Sequence, residues 1–212
     1  MPGETCFSYY PLDIYAVLQK TLGVIGTEPG RNFNNFDGLY TAFRQQLKEI
    51  IGRFHSEADN FGLNGYPTAL IDLFTKNCIT SARGYFNRGA KYTVLSPHAG
   101  GIADAANSLY VIQQLIFQEQ KTKLPEFVQC LKSNWEGYEE LRRYIINKFR
   151  LYGNDNPAAD AILNRVLTDF VTFVGEVPAR NGVLRPAGVS TFGREITWSG
   201  ERGASAMGYQ AG

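Results

Sequence analysis

Apolar residues recur along most of the chain at intervals of three and four positions, which is the spacing of one face of an α-helix. Three segments show this pattern most clearly. Their predicted core residues are Leu39, Phe43, Leu47, Ile50 and Phe54 in the first, Ile102, Ala105, Leu109, Ile112, Leu115 and Ile116 in the second, and Ile162, Leu163, Val166, Leu167 and Phe170 in the third. The chain is therefore predicted to be mostly helical.

Shorter helices are predicted between these segments. The first begins at Pro11, which can occupy a first helical turn without losing a hydrogen bond, and it ends at Gly23. Three more are predicted around Leu73, from Leu124 and from Trp135.

Glycine-rich segments interrupt the helical pattern. The least regular one lies between Ser81 and Gly101, where four glycines and one proline argue against a long regular element. We expect a loop there that crosses the core or lines a cavity. Beyond Val177, the sequence predicts one or two short strands that end in a flexible tail. Such long segments are unusual in a self-contained helical bundle, whose helices are joined by short turns.

Composition and charge exclude several classes of protein. The chain of 212 residues is 44% apolar and 13% aromatic, which is enough to fill a hydrophobic core. Its 21 basic and 20 acidic residues give a net charge of +1, so the basic patch expected of a nucleic-acid-binding protein is missing. No apolar run approaches the ~18 residues of a membrane helix, and the first ten residues do not resemble a signal peptide. We therefore expect a soluble, cytoplasmic protein that binds no membrane.

Common catalytic and metal-binding motifs are also missing from the sequence. Cys6, Cys78 and Cys130 are widely spaced, and only His55 and His98 could join them as ligands, so neither a disulfide framework nor a metal site is predicted. We expect His55 to be hydrogen-bonded or to face solvent. The sequence contains no GxSxG motif and no phosphate-binding loop that ends in Lys-Ser or Lys-Thr, so hydrolytic chemistry is not indicated.

Four motifs resemble those of one enzyme family. They are Arg83-Gly84-Tyr85 with Gly89-Ala90-Lys91-Tyr92, His98–Asp104 with Asn107-Ser108-Leu109, Asn134–Glu139 with Leu141-Arg142, and Tyr152–Asp155 with Asp160. In that family the corresponding patterns are GRDYNxGGARYN, GxGLAxxxDSL, NFEGYExLR and KYGNDxxxVD. Further similarity at Asn35–Asp37 and Arg185–Gly188 extends the match to essentially the whole chain. The chain thus resembles a glycyl radical enzyme of the pyruvate formate-lyase-like superfamily.

This resemblance implies a fold and a chemistry. It implies an α/β fold, in which residues 1–212 form a single, incomplete domain: the mostly helical portion of a ten-stranded barrel, with a few short strands and long glycine-rich loops. Enzymes of this family are radical lyases, dehydratases, decarboxylases or formate C-acetyltransferases of anaerobic metabolism that act on small molecules. They carry an organic radical on glycine, installed by an activating enzyme that uses S-adenosylmethionine.

The family's two radical-bearing motifs, GCxE and RVxGY, do not occur in these 212 residues. Cys6 is the one candidate for the first, but it follows Thr5 and precedes Phe7-Ser8, so the partner glutamate is missing. We expect Cys6 to be a packing or pocket-lining residue. The resemblance identifies no catalytic residue in the chain, which leaves open whether the chain is itself an enzyme.

The resemblance also assigns roles to individual residues. Its register places Phe7, Tyr9 and Tyr10 in the wall of the substrate pocket, although these three could equally form an aromatic cluster that docks an N-terminal arm. The residues with an expected structural role are Gly89, Ala90, Tyr152, Gly153, Asn154, Asp155 and Asp160. We expect Gly153 or Asn154 to adopt a left-handed conformation and the Asp155 side chain to bind nearby amides.

Two functions follow as alternatives. The chain is either a fragment of a glycyl radical enzyme, inactive until the remaining segments and the activating enzyme act with it, or a catalytically silent relative that serves as a binding or assembly module. Departures from the family pattern at Arg88, Asn107 and Tyr209 fit the second. In the first case, residues 83–101 should run inside the parent barrel and be poorly ordered or exposed here, with backbone amides that have no ladder partners. Trypsin should then cut first at Arg83, Arg88 or Lys91.

Overall fold

The computed structural model describes residues 3–27, 32–61, 68–179, 181–190 and 195–211. Its elements, in chain order, are β1 (Thr5–Asp13), α1 (Ile14–Leu22), α2 (Phe36–Ala58), α3 (Ala69–Phe74), α4 (Cys78–Ser81), a 3-10 turn (Tyr85–Asn87), β2 (Tyr92–Gly100), α5 (Ile102–Ile112) with a π-helical continuation (Gln113–Gln118), α6 (Leu124–Lys132), α7 (Glu139–Lys148), α8 (Pro157–Gly175), β3 (Val183–Leu184), β4 (Gly188–Val189) and α9 (Glu195–Ser199). None of the described helices is long and apolar enough to cross a membrane.

The chain divides into two compact units, and the first contains the sheet. It combines Met1–Leu12, Lys48–Ala99 and Phe170–Val189. Within it β2 is hydrogen-bonded to the three other strands, and its pairings with β3 and β4 are both parallel. Thr93 lies opposite Val183, and His98 lies opposite Gly188.

One face of this sheet packs on the C-terminal half of α2. Leu95 and Val183 form a buried cluster with Phe54 and Ala58, and the Tyr10 ring lies 5.3 Å from the Phe54 ring, centre to centre. Side chains of a strand alternate between the two faces of the sheet. The residues next to Tyr10 in β1 therefore point to the opposite face.

The predicted loop between Ser81 and Gly101 is wrong for its second half. Tyr92–Gly100 is a strand, and its residues from Thr93 to Pro97 are buried. Because a strand covered on both faces loses the alternation of polar and apolar residues, periodicity does not reveal it. The backbone amides that we expected to lack ladder partners belong to the most extensively paired strand of the sheet.

The C-terminal end of α2 is bound by the Arg185 side chain, which lies near the end of the first unit. The Arg185 guanidinium donates to Asp59 Oδ1 at 2.5 Å and to the His55 carbonyl at 3.3 Å. Arg185 Nη1 also lies 3.3 Å from His55 Nδ1, and His55 is buried, so of the two expected states of His55 the structure has the hydrogen-bonded one and not the solvent-facing one. A cation at a helix C-terminus also interacts favourably with the helix dipole.

The start of α1 differs from the prediction. Pro11 belongs to β1, and the helix begins at Ile14 because the Asp13 side chain caps it, accepting a hydrogen bond from Ala16 N at 3.0 Å. The predicted end at Gly23 is confirmed, and this residue adopts a left-handed conformation with φ of 71°.

The second unit is helical and combines Asp13–Leu47, Gly100–Asp169 and Ser190–Gly212. The predicted helices of α2, α5, α6 and α8 are confirmed. The helix predicted from Trp135 begins instead at Glu139, because Asn134, Trp135 and Gly137 all have positive φ. Trp135 is buried and packs edge-on against Phe127, with the ring centres 5.8 Å apart.

The flexible tail expected at the end of the chain is wrong for residues 202–211. The Gln19 side chain donates to the Gly203 and Ala204 carbonyls and accepts from Gly203 N. Trp135 Nε1 donates to the Ser205 carbonyl at 3.2 Å, and Arg142 Nε donates to the Gly208 carbonyl at 2.7 Å. These bonds join residues distant in sequence, which is why local composition did not reveal them.

A buried ion pair also fixes this segment. The Arg202 guanidinium binds both oxygens of the Asp13 carboxylate, at 2.8 and 2.7 Å. The side chains of both residues are largely buried, with 9% and 13% of their surface exposed. Removing one partner of such a pair leaves the other as an uncompensated buried charge.

We predict that Asp13→Ala lowers the free energy of unfolding by about 3 kcal/mol or more, because it removes the cap of α1 and leaves the buried Arg202 charge without its partner. Asp37→Ala is the matched control, since Asp37 forms an ion pair at 3.6 Å in which both side chains are at least 46% exposed, and it should cost at most about 1 kcal/mol. Urea denaturation followed by circular dichroism measures both. Equal losses in the two variants would contradict the assigned role of the Asp13–Arg202 pair.

Candidate functional site

Aromatic and imidazole rings cluster on the face of the sheet that points away from α2. The Tyr9 ring stacks on the His98 ring with 5.4 Å between their centres. The Phe7 ring packs edge-on against the same His98 ring, with 6.3 Å between the two centres. Phe7 is 52% exposed and Tyr9 is 43% exposed, whereas His98 is partly buried. We name Phe7, Tyr9 and His98 the ring cluster.

The His98 ring lies flat against the neighbouring strand. A Cβ atom on Gly188 would collide with the imidazole, so glycine is required for this approach of β4. Burial lowers the pKa of His98. The imidazole is therefore held in its neutral form, in which it has one donor and one acceptor nitrogen.

The other predicted pocket residues lie elsewhere. The Tyr10 side chain packs on Phe54 on the opposite face of the sheet, so the structure separates it from Phe7 and Tyr9. Cys6 is also buried on the far side, and burial raises the pKa of its thiol to about 11. A thiol of this kind stays protonated and is a poor nucleophile, as expected for a packing cysteine.

Cys6 is adjacent to a hydroxyl group from the 3-10 turn. The Tyr85 hydroxyl interacts with the Cys6 thiol and accepts a hydrogen bond from Phe7 N at 3.1 Å. This contact fixes the backbone of β1 at the point where Phe7 joins the ring cluster. It is therefore a structural support of the ring cluster.

Gly89 and Ala90 precede β2 in a tightly packed turn. A Cβ atom on Gly89 would overlap the Arg83 carbonyl and lie 2.9 Å from Cys78 Sγ, and Ala90 is buried with 6% of its surface exposed. Gly89 N donates to the Gly84 carbonyl at 3.0 Å. The expected structural role of this pair fits these contacts.

Arg88 departs from the family pattern, and its side chain forms hydrogen bonds that hold it in place. Its φ of 57° is a conformation that glycine reaches more easily. Its guanidinium donates to the Phe61 carbonyl at 2.9 and 3.2 Å and lies 3.4 Å from the Asp59 carbonyl. These bonds offset the backbone strain by satisfying carbonyls just beyond the end of α2.

The Tyr152–Asp155 segment forms a tight turn between α7 and α8. Gly153 has a φ of 84°, and Tyr152 N donates to Asn107 Oδ1 at 2.8 Å. Asn107 stands where the family pattern has aspartate, and its side-chain oxygen supplies an acceptor all the same.

The side chains that bind the backbone of this corner differ from the expected one. Asn154 Nδ2 donates to the Leu151 carbonyl, and Asn156 Oδ1 accepts from Ala158 N at 3.2 Å and so caps α8. Asp155 itself is exposed and has a φ of 55°. Asp160 lies in the first turn of α8, where a carboxylate is favourable.

No group of three or more His, Cys, Asp or Glu side chains in the described ranges could hold a metal ion. Among the described residues of the first unit, the ring cluster offers apolar ring faces and one neutral imidazole. Such a surface can contact the carbon skeleton of a small molecule and exchange a hydrogen bond with it. The sequence prediction placed His98 in a loop. The mostly apolar residues just before it, Thr93–Pro97, were the sequence signal for its position in a buried strand.

Comparison with known proteins supplies the context of this site. A family model described as pyruvate formate lyase-like matches residues 16–197. Trans-4-hydroxy-L-proline dehydratase of Clostridioides difficile is 28% identical over 167 residues, which are 77% of this chain and 21% of the relative. (2S)-3-Sulfopropanediol dehydratase of Klebsiella oxytoca is 30% identical over 159 residues, 73% of this chain and 19% of the relative. The chain thus spans about a fifth of the length of these relatives.

Solved structures agree with the sequence comparison. Hydroxyproline dehydratase from Clostridioides difficile, with trans-4-hydroxy-L-proline bound, aligns with a TM-score of 0.85 at 26% identity and covers 99% of this chain and 28% of its own. The B12-independent glycerol dehydratase from Clostridium butyricum, in its glycerol-bound form, aligns with a TM-score of 0.82 at 17% identity, over 100% of this chain and 28% of its own. At that identity the second likeness shows the fold alone.

We predict that Gly89→Ala lowers the free energy of unfolding by about 1–3 kcal/mol, because the added methyl group has no space. Gly52→Ala is the matched control in α2, where no atom lies within 4 Å of the added carbon, and it should stabilise the chain by up to about 1 kcal/mol through helix propensity. Thermal unfolding of the two variants therefore shifts in opposite directions. A destabilisation of similar size in both would contradict the packing described for Gly89.

The neutral state of His98 predicts a pH dependence. Since its pKa is lower in the folded than in the unfolded chain, the unfolded chain takes up the proton first as the pH falls through about 6.5, and folding stability is lost there. As the pH is lowered from about 7.5 to about 5.5, the melting temperature of the wild-type chain should fall relative to that of His98→Gln. If it rises relative to that of His98→Gln as the pH is lowered, the folded state prefers the imidazolium.

Proposed function

This chain belongs to the pyruvate formate lyase-like family of glycyl radical enzymes, and we propose that it forms part of the barrel wall of a radical lyase of the dehydratase type. The fold class predicted from sequence is confirmed, because the structural neighbours are glycyl radical enzyme barrels. The proposed parent enzyme carries a glycyl radical installed by an activating enzyme that uses S-adenosylmethionine. The proposed partners of this chain are the remaining segments of that enzyme.

The observation that carries the proposal is the ring cluster on the sheet. Phe7 and Tyr9 present exposed ring faces, which suit the carbon skeleton of a small molecule. The neutral His98 imidazole can donate a hydrogen bond to a substrate hydroxyl or accept one from it. A small hydroxylated compound is the substrate class that these groups fit best. Hydroxyproline, which is bound by the first solved relative, belongs to this class.

The chain's own residues bind and orient in this proposal, and the radical chemistry belongs to other segments. A glycyl radical, when present, supplies the hydrogen-atom abstraction that starts turnover in this family. Neither radical-bearing motif occurs in these 212 residues, and Cys6 is buried with a raised pKa on the other face of the sheet. The 212-residue chain is therefore proposed to be inactive alone.

A second candidate function is that of a catalytically silent relative that serves as a binding or assembly module. The departures at Arg88, Asn107 and Tyr209 suggested it. In the structure Arg88 donates to the Phe61 carbonyl and Asn107 accepts from Tyr152 N, whereas Tyr209 is 62% exposed. These contacts maintain the fold and leave the ring cluster intact, which favours the first candidate.

Incubation of the 212-residue chain with an activating enzyme and S-adenosylmethionine should give no glycyl radical signal in electron paramagnetic resonance. The reason is that the radical-bearing motif is not part of this sequence. A glycyl doublet from this polypeptide alone would contradict the proposal.

The ring cluster is tested in a gapped dehydratase, defined as the hydroxyproline dehydratase of Clostridioides difficile without the segment that this chain matches. When it is co-expressed with the 212-residue chain and activated, this gapped dehydratase should turn over its substrate. The His98→Ala variant of the 212-residue chain should raise the KM of the complex by at least about tenfold, because one hydrogen bond to the substrate is lost. Ile196→Ala is the control, because Ile196 is 84% exposed and lies in the second unit. If the complex with the wild-type chain turns over no substrate, the catalytically silent alternative is favoured. Equal KM values for the two variants would show that His98 does not bind the substrate.

A further inference from the structure

The short helix α3 is attached to the first unit through its polar atoms. Asp72 Oδ1 accepts hydrogen bonds from Tyr85 N at 2.6 Å and from Thr68 Oγ1 at 2.7 Å. Just beyond the helix, Lys76 N donates to the Gly3 carbonyl at 2.5 Å. None of its six residues is buried.

The apolar residues of this helix point outward. Leu70 is 74%, Leu73 is 65% and Phe74 is 74% exposed, and Ile79 of α4 adds a side chain that is 67% exposed. We name these four residues the α3 face. A shallow, open depression lies along it, lined by Thr68, Ala69, Leu70, Ile71 and Phe74. This arrangement reverses that of an ordinary surface helix, which buries its apolar stripe and exposes its polar one.

The size of the α3 face argues against a simple pairing of two copies. Four such side chains expose on the order of 500 Å² of apolar surface, which is in the upper range for the largest apolar patch of a monomeric protein. This area is smaller than the ~800 Å² that each partner buries in a stable interface. The occupant must therefore extend beyond the α3 face.

The ring cluster is connected to α3 through Tyr85. Tyr85 joins the two, since its amide donates to Asp72 of α3 and its hydroxyl accepts from Phe7 N. Phe7 is itself 52% exposed. An occupant that covers both surfaces would reach the size of a stable interface.

We propose that the α3 face is a docking surface for the part of a glycyl radical enzyme polypeptide that lies outside these 212 residues. The inference rests on the proposed function, since the chain covers only 28% of the hydroxyproline dehydratase chain whose fold it shares. The occupant presents an apolar surface, because the exposed side chains of the α3 face carry no charge.

The test is co-purification of the tagged 212-residue chain with the gapped dehydratase. The excised segment of that dehydratase, supplied in the same way, is the positive control. Leu73→Glu with Phe74→Glu should reduce the amount recovered by at least about tenfold, because docking would bury two carboxylates without partners. Ile196→Glu, an equally exposed apolar residue outside the α3 face, should leave recovery unchanged. Both variants should melt within about 2 °C of wild type when alone, since the changed residues are exposed.

Thiol labelling gives a second measurement. The native Cys6, Cys78 and Cys130 are buried, and burial raises the pKa of each, so they react slowly with a maleimide. A cysteine introduced by Leu73→Cys should react rapidly in the chain alone and at least about tenfold more slowly in the complex.

The possible outcomes separate the two proposals. If wild type and the glutamate variant are recovered equally and the introduced thiol stays reactive in the complex, the docking surface is wrong and the proposed function stands. If the positive control is recovered and the wild-type chain is not, the proposed function itself fails. If the chain alone sediments as a dimer that the glutamate variant dissociates, the α3 face pairs two copies and the inference is overturned.

Discussion

The first unit depends on the hydrogen bonding of β2 to three other strands. This pairing places Leu95 against Phe54 in the core and turns His98 to the opposite face, because side chains alternate along a strand. It also brings the segment after Val183 onto the sheet, where the Ser96 hydroxyl donates to the Pro186 carbonyl at 2.6 Å. The ring cluster is therefore a consequence of strand register, and its geometry changes if that register slips.

The glycine-rich segments acquire order in this fold through polar side chains that reach across long sequence separations. Asp13 binds Arg202, Gln19 binds Gly203, and Arg185 binds Asp59. Each bond satisfies a backbone group or a charge that would otherwise be buried without a partner, which costs about 1–3 kcal/mol or more. Segments that composition marks as loops thus become fixed parts of their units.

The sequence predicted the helices well because helical periodicity is local. The faces of α5 and α8 could be recognised from spacing alone, whereas β2 could not, since both of its faces are covered and Pro97 lies within it. The resemblance placed Phe7 and Tyr9 in a pocket wall. It could not separate Tyr10 from them, because that requires knowing that the segment is a strand with a two-residue period. The outward apolar side of α3 was also not predictable, since a helical spacing does not say which partner covers it.

The central claim is that β2 is an ordered, paired strand in this chain, and hydrogen exchange of the 212-residue polypeptide measures it directly. Amides of residues 93–96, 98 and 99 should exchange at least about 100-fold more slowly than those of α3, which has no buried residue and opens at little cost. Equal exchange rates in the two segments would mean that β2 lacks its ladder partners. The sheet, the ring cluster and the function proposed from it would then not exist in this chain.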